Sequence, residues 1–161
     1  IEEDKDKASS FLHHFSELYR YSLLTSEKKV VPLQEELQFA KSYFKLMEEK
    51  YVGCYSLEIN QENKMPKALV PPFCLQVLVE NAIEHNLGST KNPVQIIISI
   101  AENILVTNNK VAKQHNKTTG GRALKNLSTQ FALLGTKSLS IEETATHFKV
   151  TLPFINKNTD V

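Results

Sequence analysis

The stretch from Val70 to Asn86, VPPFCLQVLVENAIEHN, decides the fold that we expect for this chain. Its two prolines suit the first turn of a helix, and apolar residues then recur at helical spacing. The apolar side of this helix is formed by Leu75, Leu78, Ala82 and Ile83. The opposite, polar side carries Glu80, Asn81, Glu84 and His85. The pattern predicts a helix that buries one side in a core and keeps the other side available for chemistry.

The polar side of this helix has two interpretations. An asparagine amide oxygen such as that of Asn81 is a hard ligand, suited to a Mg²⁺ ion that also binds water and phosphate. A neighbouring acid such as Glu80 could hold one of the metal's waters, and His85 could reach a phosphate. The same residues also fit an ordinary solvated helix side with a histidine near its C-terminal end. The residues alone leave both interpretations open.

Two further helices are predicted upstream of this stretch. An apolar stripe with spacings of three and four predicts a helix over 4–24. A second stripe, which begins just after Pro32, predicts a helix from Leu33 to about Tyr51. Two amphipathic helices joined by a short polar loop predict a helical hairpin.

The remaining chain combines strands with one more helix. Alternating apolar and polar residues predict strands over 54–59, 94–100, 104–107, 139–141 and 147–152. Residues 108–121 are polar and predict a loop, and a fourth helix over 122–134 follows, with Gly135 as its stop. The order of elements predicts an α+β fold, a two-layer sandwich of helices on a mixed sheet.

Composition excludes several classes of protein. Of 161 residues, 41% are apolar and 23% are charged, which is typical of a globular domain, and the net charge is only +1. The lysines are scattered, so no basic face favours nucleic acid as a partner. Cys54 and Cys74 form no CxxC motif, no Cys/His cluster suggests zinc, and no P-loop motif occurs.

Several motifs occur in one order along the chain. Residues 70–86 resemble the PPxxLQPLVENAIKHG segment of the LytS/YehU-type bacterial sensor histidine kinases, which belong to the ATPase superfamily shared with DNA gyrase. Residues 15–23, FSELYRYSL, resemble the family's LSxLLRYSL, and residues 31–37, VPLQEEL, resemble its VPLxEEL. Residues 124–127 and 133–135 resemble parts of GLKNIRERLxLLYG. The resemblance covers nearly the whole chain and is more specific than any single motif.

The resemblance implies an organisation and an activity. It implies a helical dimerisation and linker segment at 1–51, a Bergerat-type ATP-binding catalytic domain at 52–155 and a disordered tail at 156–161. With ATP and Mg²⁺ as cofactors, the domain would supply a phosphoryl group to an upstream histidine and then to a response regulator. The full-length protein would associate with itself through the N-terminal helices. This chain would be the cytoplasmic region of an inner-membrane sensor protein.

The resemblance also implies roles for individual residues. It implies that Asn81 coordinates a Mg²⁺ ion between the ATP phosphates. It implies a catalytic role for Glu80, which would help to order a metal-bound water. Asn108 stands where the family has an Asp that accepts a hydrogen bond from the adenine amino group. The other implied nucleotide-binding residues are His85, Gly120, Gly121 and Leu124. The loop up to Thr119 would be a short lid over the nucleotide.

Four positions depart from the family's pattern and favour a second interpretation. The family's Lys, Gly and Gly are replaced here by Glu84, Lys110 and Ala123, and its adenine-binding Asp is replaced by Asn108. Arg122 could restore a cation near the phosphates. With these changes, the alternative function is a degenerate interaction module of the same fold that binds no nucleotide.

The family's phosphoacceptor motif, HFLFN, does not occur in this sequence. His13 and His14 stand where the family has ordinary helix residues. The chain is therefore expected to be a fragment that lacks the phosphoacceptor. Dimerisation through the helices that it retains is expected to be weak or absent.

Overall fold

The N-terminal third of the chain is the helical hairpin that its sequence predicts. A computed structural model describes residues 1–62, 64–113, 121–135 and 137–155. In it, helix α1 spans Glu2–Thr25 and helix α2 spans Leu33–Lys50. Ser10 near the start of α1 donates a 3.0 Å hydrogen bond to Glu49 near the end of α2, so the two helices run antiparallel.

The described residues contain seven strands in two sheets. They are β1 (Val31–Pro32), β2 (Tyr55–Gln61), β3 (Leu69–Val70), β4 (Val94–Ile100), β5 (Ile104–Asn109), β6 (Ser140–Glu143) and β7 (His147–Leu152). The larger sheet has the order β2-β4-β5-β7-β6. Strand β2 is parallel to β4, and the other neighbours are antiparallel, so the sheet is mixed as predicted.

One face of the larger sheet forms the core of the molecule. The buried residues of β4 alternate along the strand as Val94, Ile96, Ile98 and Ile100, which is the two-residue period of a strand with one covered face. Helix α3 (Cys74–Glu84) and helix α4 (Gly121–Leu133) cover that face. The result is the expected two-layer α+β sandwich.

Helix α2 shares this core with the sheet. Leu33, Leu37, Ala40 and Phe44 belong to the same buried cluster as the strands and α3. Along α1, by contrast, Thr25 alone is buried. A division of the chain between residues 51 and 52 therefore separates elements that pack together.

The sequence did not reveal the smaller sheet. Strand β1 pairs antiparallel with β3, and the Leu33 N–H group donates a 2.9 Å hydrogen bond to the Ala68 carbonyl oxygen beside it. Leu69 also forms an isolated bridge with Ile155. Two-residue strands are too short to show an alternating pattern, so no sequence signal for them exists.

The prediction that a loop begins at residue 108 was wrong. Strand β5 continues through Asn108 and Asn109, which pair with Phe148 and His147 of β7. Backbone hydrogen bonding to a neighbouring strand overrides the polar side chains here, because sheet propensity depends strongly on context. This extension places Asn108 on the core face of the sheet, opposite Ile96.

The segment after α3 lies tightly against β2. The Tyr55 hydroxyl donates a 2.8 Å hydrogen bond to the Asn86 carbonyl oxygen and accepts one of 3.3 Å from the Gly88 N–H group. A Cβ atom at Gly88 would lie 2.2 Å from the Cys54 carbonyl oxygen. Only glycine fits at this position, and the close approach fixes where the C-terminal end of α3 lies.

Candidate functional site

A cavity of about 590 Å³ opens where the core face of the sheet ends. It lies between the C-terminal part of α3, the end of β5 and the start of α4. Its lining includes five of the residues that the resemblance assigns to the site: Asn81, His85, Asn108, Gly121 and Leu124. The structure thus brings together residues that are up to 43 positions apart in the sequence. Gly120 and residues 114–119 of the predicted lid lie outside the described residues.

Asn81 is buried, with 8% of its surface exposed. The expectation of a polar side opposite Ala82 was wrong, because Ala82 lines the cavity together with Asn81 and His85. An ordinary solvated helix side therefore does not describe Asn81. Within the described residues its side-chain amide makes no hydrogen bond. At the cavity wall, this amide is available to a ligand.

Asn108 also lines the cavity and is buried, with 5% of its surface exposed. Its side-chain Nδ2 donates a 2.9 Å hydrogen bond to the Asn109 carbonyl oxygen. Since a carbonyl only accepts, this contact fixes the orientation of the amide. Among the described residues, no donor bonds to the Oδ1 atom of Asn108, which leaves this atom as an acceptor.

The structure does not bring Glu80 into the cavity lining. Its carboxylate accepts a 2.6 Å hydrogen bond from Nε2 of Gln76, on the side of α3 that faces α2. Burial and the neighbouring Glu84 raise the pKa of Glu80, and the bond from Gln76 offsets part of the rise. Burial and the charges of these two glutamates likewise raise the pKa of Tyr43 in α2. Glu80 and Glu84 therefore lie towards the helical hairpin.

Asn86 forms part of one wall of the cavity, a role that the sequence motifs do not assign to it. Its Nδ2 donates a 2.9 Å hydrogen bond to the Ala82 carbonyl oxygen, and its Oδ1 accepts one of 2.8 Å from the Val111 N–H group. The Leu87 N–H group donates to the Val111 carbonyl oxygen at 3.1 Å. An asparagine after a helix predicts a cap, but nothing in the sequence shows which distant backbone group it binds.

Two lysines line the cavity after β5. Lys110 forms a 2.7 Å ion pair with Glu143 and donates to the Thr144 carbonyl oxygen at 3.1 Å. The Lys113 ammonium donates instead to the Glu84 carbonyl oxygen, at the end of α3. Arg122, which was expected to restore a cation, is exposed on α4 and is not part of the lining.

The donor set fits a magnesium ion that arrives with a phosphorylated ligand. No group of three or more His, Cys, Asp or Glu side chains within the described ranges is arranged to hold a metal. Mg²⁺ keeps several waters and is commonly bound by few protein oxygens together with substrate phosphates. The Asn81 amide oxygen suits that mode of binding.

Comparison with known proteins identifies similar sequences. The model of the family described as "Histidine kinase" matches residues 1–53. The sensor histidine kinase/phosphatase LytS of Staphylococcus aureus strain MRSA252 is 30% identical across 94% of this chain, and so is LytS of strain Mu50. The chain spans 30% of the length of these relatives.

Comparison with solved structures identifies the same fold. The nucleotide-free catalytic domain of the histidine kinase ThkA superimposes with a TM-score of 0.51 at 16% identity, over 77% of this chain and 93% of that domain. The Acinetobacter baumannii histidine kinase AdeS gives a TM-score of 0.50 at 13% identity, over 90% of this chain and 79% of AdeS. In the described part of the chain, no helix has the length and apolar character needed to cross a membrane.

Proposed function

This chain is a homologue of the LytS sensor histidine kinases, and from that premise we propose that its cavity binds Mg-ATP for phosphoryl transfer to a histidine. The observation that carries the proposal is Asn81, a buried residue at the cavity wall whose side-chain amide makes no hydrogen bond to any other described residue. When bound, Mg²⁺ would neutralise phosphate charge, and the protein would contribute mostly positioning and fixed hydrogen-bond donors.

The cavity lining supports a division of roles. We propose that Asn81 binds the metal and that the Oδ1 atom of Asn108 accepts a hydrogen bond from the adenine amino group. His85 is half-buried in the same lining and would contact the phosphates or the ribose. Gly121 begins α4, and N–H groups at the start of a helix favour phosphate. Leu124 would contact the nucleotide through its apolar side chain, and Gly120 keeps its proposed role next to the phosphates.

Glu80 keeps a proposed catalytic role, but not as a neighbour of the metal. It lies on the α2 side of α3 and has a raised pKa, which suits a carboxyl group that exchanges a proton. The acceptor histidine would approach from that side. A direct role for Glu80 in proton handling is therefore better supported than contact with a metal-bound water.

The proposed larger context follows from the relatives. We propose that 52–155 provide nucleotide binding and that 1–51 provide the helical and linker segment, in a membrane-anchored sensor that passes phosphate to a response regulator. Helix α1 carries large apolar side chains that are 44–61% exposed and recur every four residues: Phe11, Phe15, Tyr19 and Leu23. Such a stripe supports self-association through this helix.

One observation favours the second candidate, an interaction module that binds no nucleotide. Lys110, which stands in place of a glycine, spans from the end of β5 to Glu143 of β6 and occupies part of the cavity lining. If this ion pair stays closed, the base would have little access to Asn108.

Calorimetric titration with Mg-ATP separates the two functions. We expect saturable binding of Mg-ATP that disappears when the metal is removed with EDTA. ADP should compete with ATP for the same site. A parallel incubation with radiolabelled ATP should leave this chain unlabelled, since His13 and His14 are not expected to be acceptors. Absence of binding at millimolar Mg-ATP would favour the interaction module.

A further inference from the structure

Lys113 is placed to contact a ligand at the C-terminal end of α3. Its ammonium group donates to the carbonyl oxygen of Glu84, the last residue of that helix, and its side chain lines the cavity with Asn81 and His85. We propose that Lys113 binds the phosphate chain of the nucleotide. The proposal rests on the function proposed above and adds a residue that the family motifs do not assign.

The backbone that carries Lys113 is held in place. Two residues earlier, the N–H and carbonyl groups of Val111 bond to the Asn86 side chain and to the Leu87 N–H group. The segment after β5 is thereby attached to the segment after α3. Lys113 consequently reaches α3 from a fixed position.

The other cations near the cavity are less available. Lys110 is already paired with Glu143 at 2.7 Å, and Arg122 does not line the cavity. Within the described residues, Lys113 has no carboxylate within ion-pair distance. An ammonium group has three donors, and the Glu84 carbonyl oxygen takes one of them, which leaves two for phosphate oxygens.

The partial charge at the C-terminal end of α3 also favours a cation beside it. The C-terminal end of a helix carries a partial negative charge of about half an elementary charge, because its last carbonyl groups are unpaired. Phosphates bound beside Asn81 and His85 would face that end of α3. Lys113 covers one of the carbonyl groups and supplies positive charge at the same point.

The test variant is Lys113→Met, which removes the charge and keeps the length of the side chain. Lys113→Arg keeps the charge. Lys125→Met is the control, at an exposed position on α4 that does not line the cavity. Calorimetry would measure affinity for Mg-ATP and for adenosine. We expect Lys113→Met to weaken Mg-ATP binding by roughly tenfold or more, with adenosine binding unchanged. Lys113→Arg and the control should bind like the wild type.

A second variant separates phosphate binding from helix capping. Adding Ala112→Lys, at a neighbouring position of the cavity lining, to Lys113→Met returns a cation to the cavity without the bond to the Glu84 carbonyl oxygen, and it should restore part of the Mg-ATP affinity. Unchanged Mg-ATP affinity in Lys113→Met, or an equal loss for adenosine, would overturn the inference while the proposed function stands. A wild-type chain that binds no Mg-ATP would overturn both.

Discussion

The Tyr21 hydroxyl donates a 2.6 Å hydrogen bond to Oε2 of Glu36, a carboxyl group with no exposed surface. The bond joins α1 to α2. Burial raises the pKa of Glu36, and the bond from Tyr21 together with the N–H groups of Phe73 and Leu75 offsets part of the rise. One buried titratable group therefore lies where both helices of the hairpin meet the start of α3.

Strain accompanies this contact. Phe73 has a φ of +67°, in the left-handed region that residues other than glycine rarely adopt. Its ring lies 5.6 Å from Phe39 and 6.1 Å from Tyr21, and these two rings stack at 4.4 Å. The aromatic contacts hold the strained residue in position.

Replacing Glu36 should change how stability depends on pH. Because the pKa of Glu36 is raised on folding, its protonated form stabilises the fold fully below the unfolded pKa of about 4.3. That contribution is lost as pH rises through the higher folded pKa. Urea unfolding at a series of pH values should show wild-type stability falling relative to Glu36→Gln as pH rises, with exposed Glu35→Gln as the control.

The comparison must account for the neighbouring groups. Tyr21 and Cys74 lie against the Glu36 carboxyl group, and each affects, or is affected by, its pKa. The charge of nearby Glu35 contributes to the raised pKa of Tyr21. The pKa of the Tyr21 hydroxyl and that of the Cys74 thiol are both raised by burial, so neither ionises in the acidic range. Parallel stability curves for the wild type and Glu36→Gln would contradict the prediction.

Asn81→Ala should mainly weaken Mg-ATP binding, whereas Asn86→Ala should mainly lower the free energy of unfolding. Asn81 makes no hydrogen bond within the described residues, so its loss should change the free energy of unfolding by less than about 1 kcal/mol. It should nevertheless weaken Mg-ATP binding at least tenfold. Asn86 loses two buried bonds on truncation, so we expect a cost of about 2–3 kcal/mol. Denaturant titration and calorimetry measure both quantities, and unaltered Mg-ATP affinity in Asn81→Ala would remove its metal role.

Two glycine substitutions test the close approach after α3. Gly88→Ala would place Cβ 2.2 Å from the Cys54 carbonyl oxygen, and the required backbone shift should cost about 1–3 kcal/mol. Gly121→Ala is the matched control, because alanine favours helices and, among the described residues outside its own helix, no atom lies within 4 Å of the new Cβ. Thermal unfolding should show a lowered Tm for the first variant alone; equal Tm values would show that the segment moves freely.

The exposed stripe of α1 should support measurable self-association. The sequence favours only weak association, but a stripe such as Phe15 and Tyr19, 53% and 61% exposed, adds apolar area that water disfavours. Light scattering across a range of concentrations should show a dimer that Phe15→Glu weakens, whereas Ser9→Glu, at an exposed polar position, should not. A strictly monomeric wild type at high micromolar concentration would contradict this.

The sequence predicted the helices and strands that have a clear periodic pattern. It did not predict side-chain contacts with residues that are distant in the sequence. Helix α3 and strand β4 have uninterrupted periods, so their limits were predicted to within a few residues. Asn81 and Asn108 could be picked out because a motif marks them. The orientation of Glu80 depends on how α3 packs against α2, and the contacts of Lys113 depend on where β5 ends. Neither fact leaves a local trace in the sequence.

Helix α3 is attached at both of its ends. At its start it meets Glu36 and, through it, α1; at its end Asn86 and Tyr55 hold it to the sheet and to the cavity wall. Its 11 residues make a rod of about 16 Å at 1.5 Å per residue. A displacement of the hairpin would therefore be transmitted along α3 to its C-terminal part, where Asn81, the proposed metal ligand, lies beside Asn86 in the cavity lining.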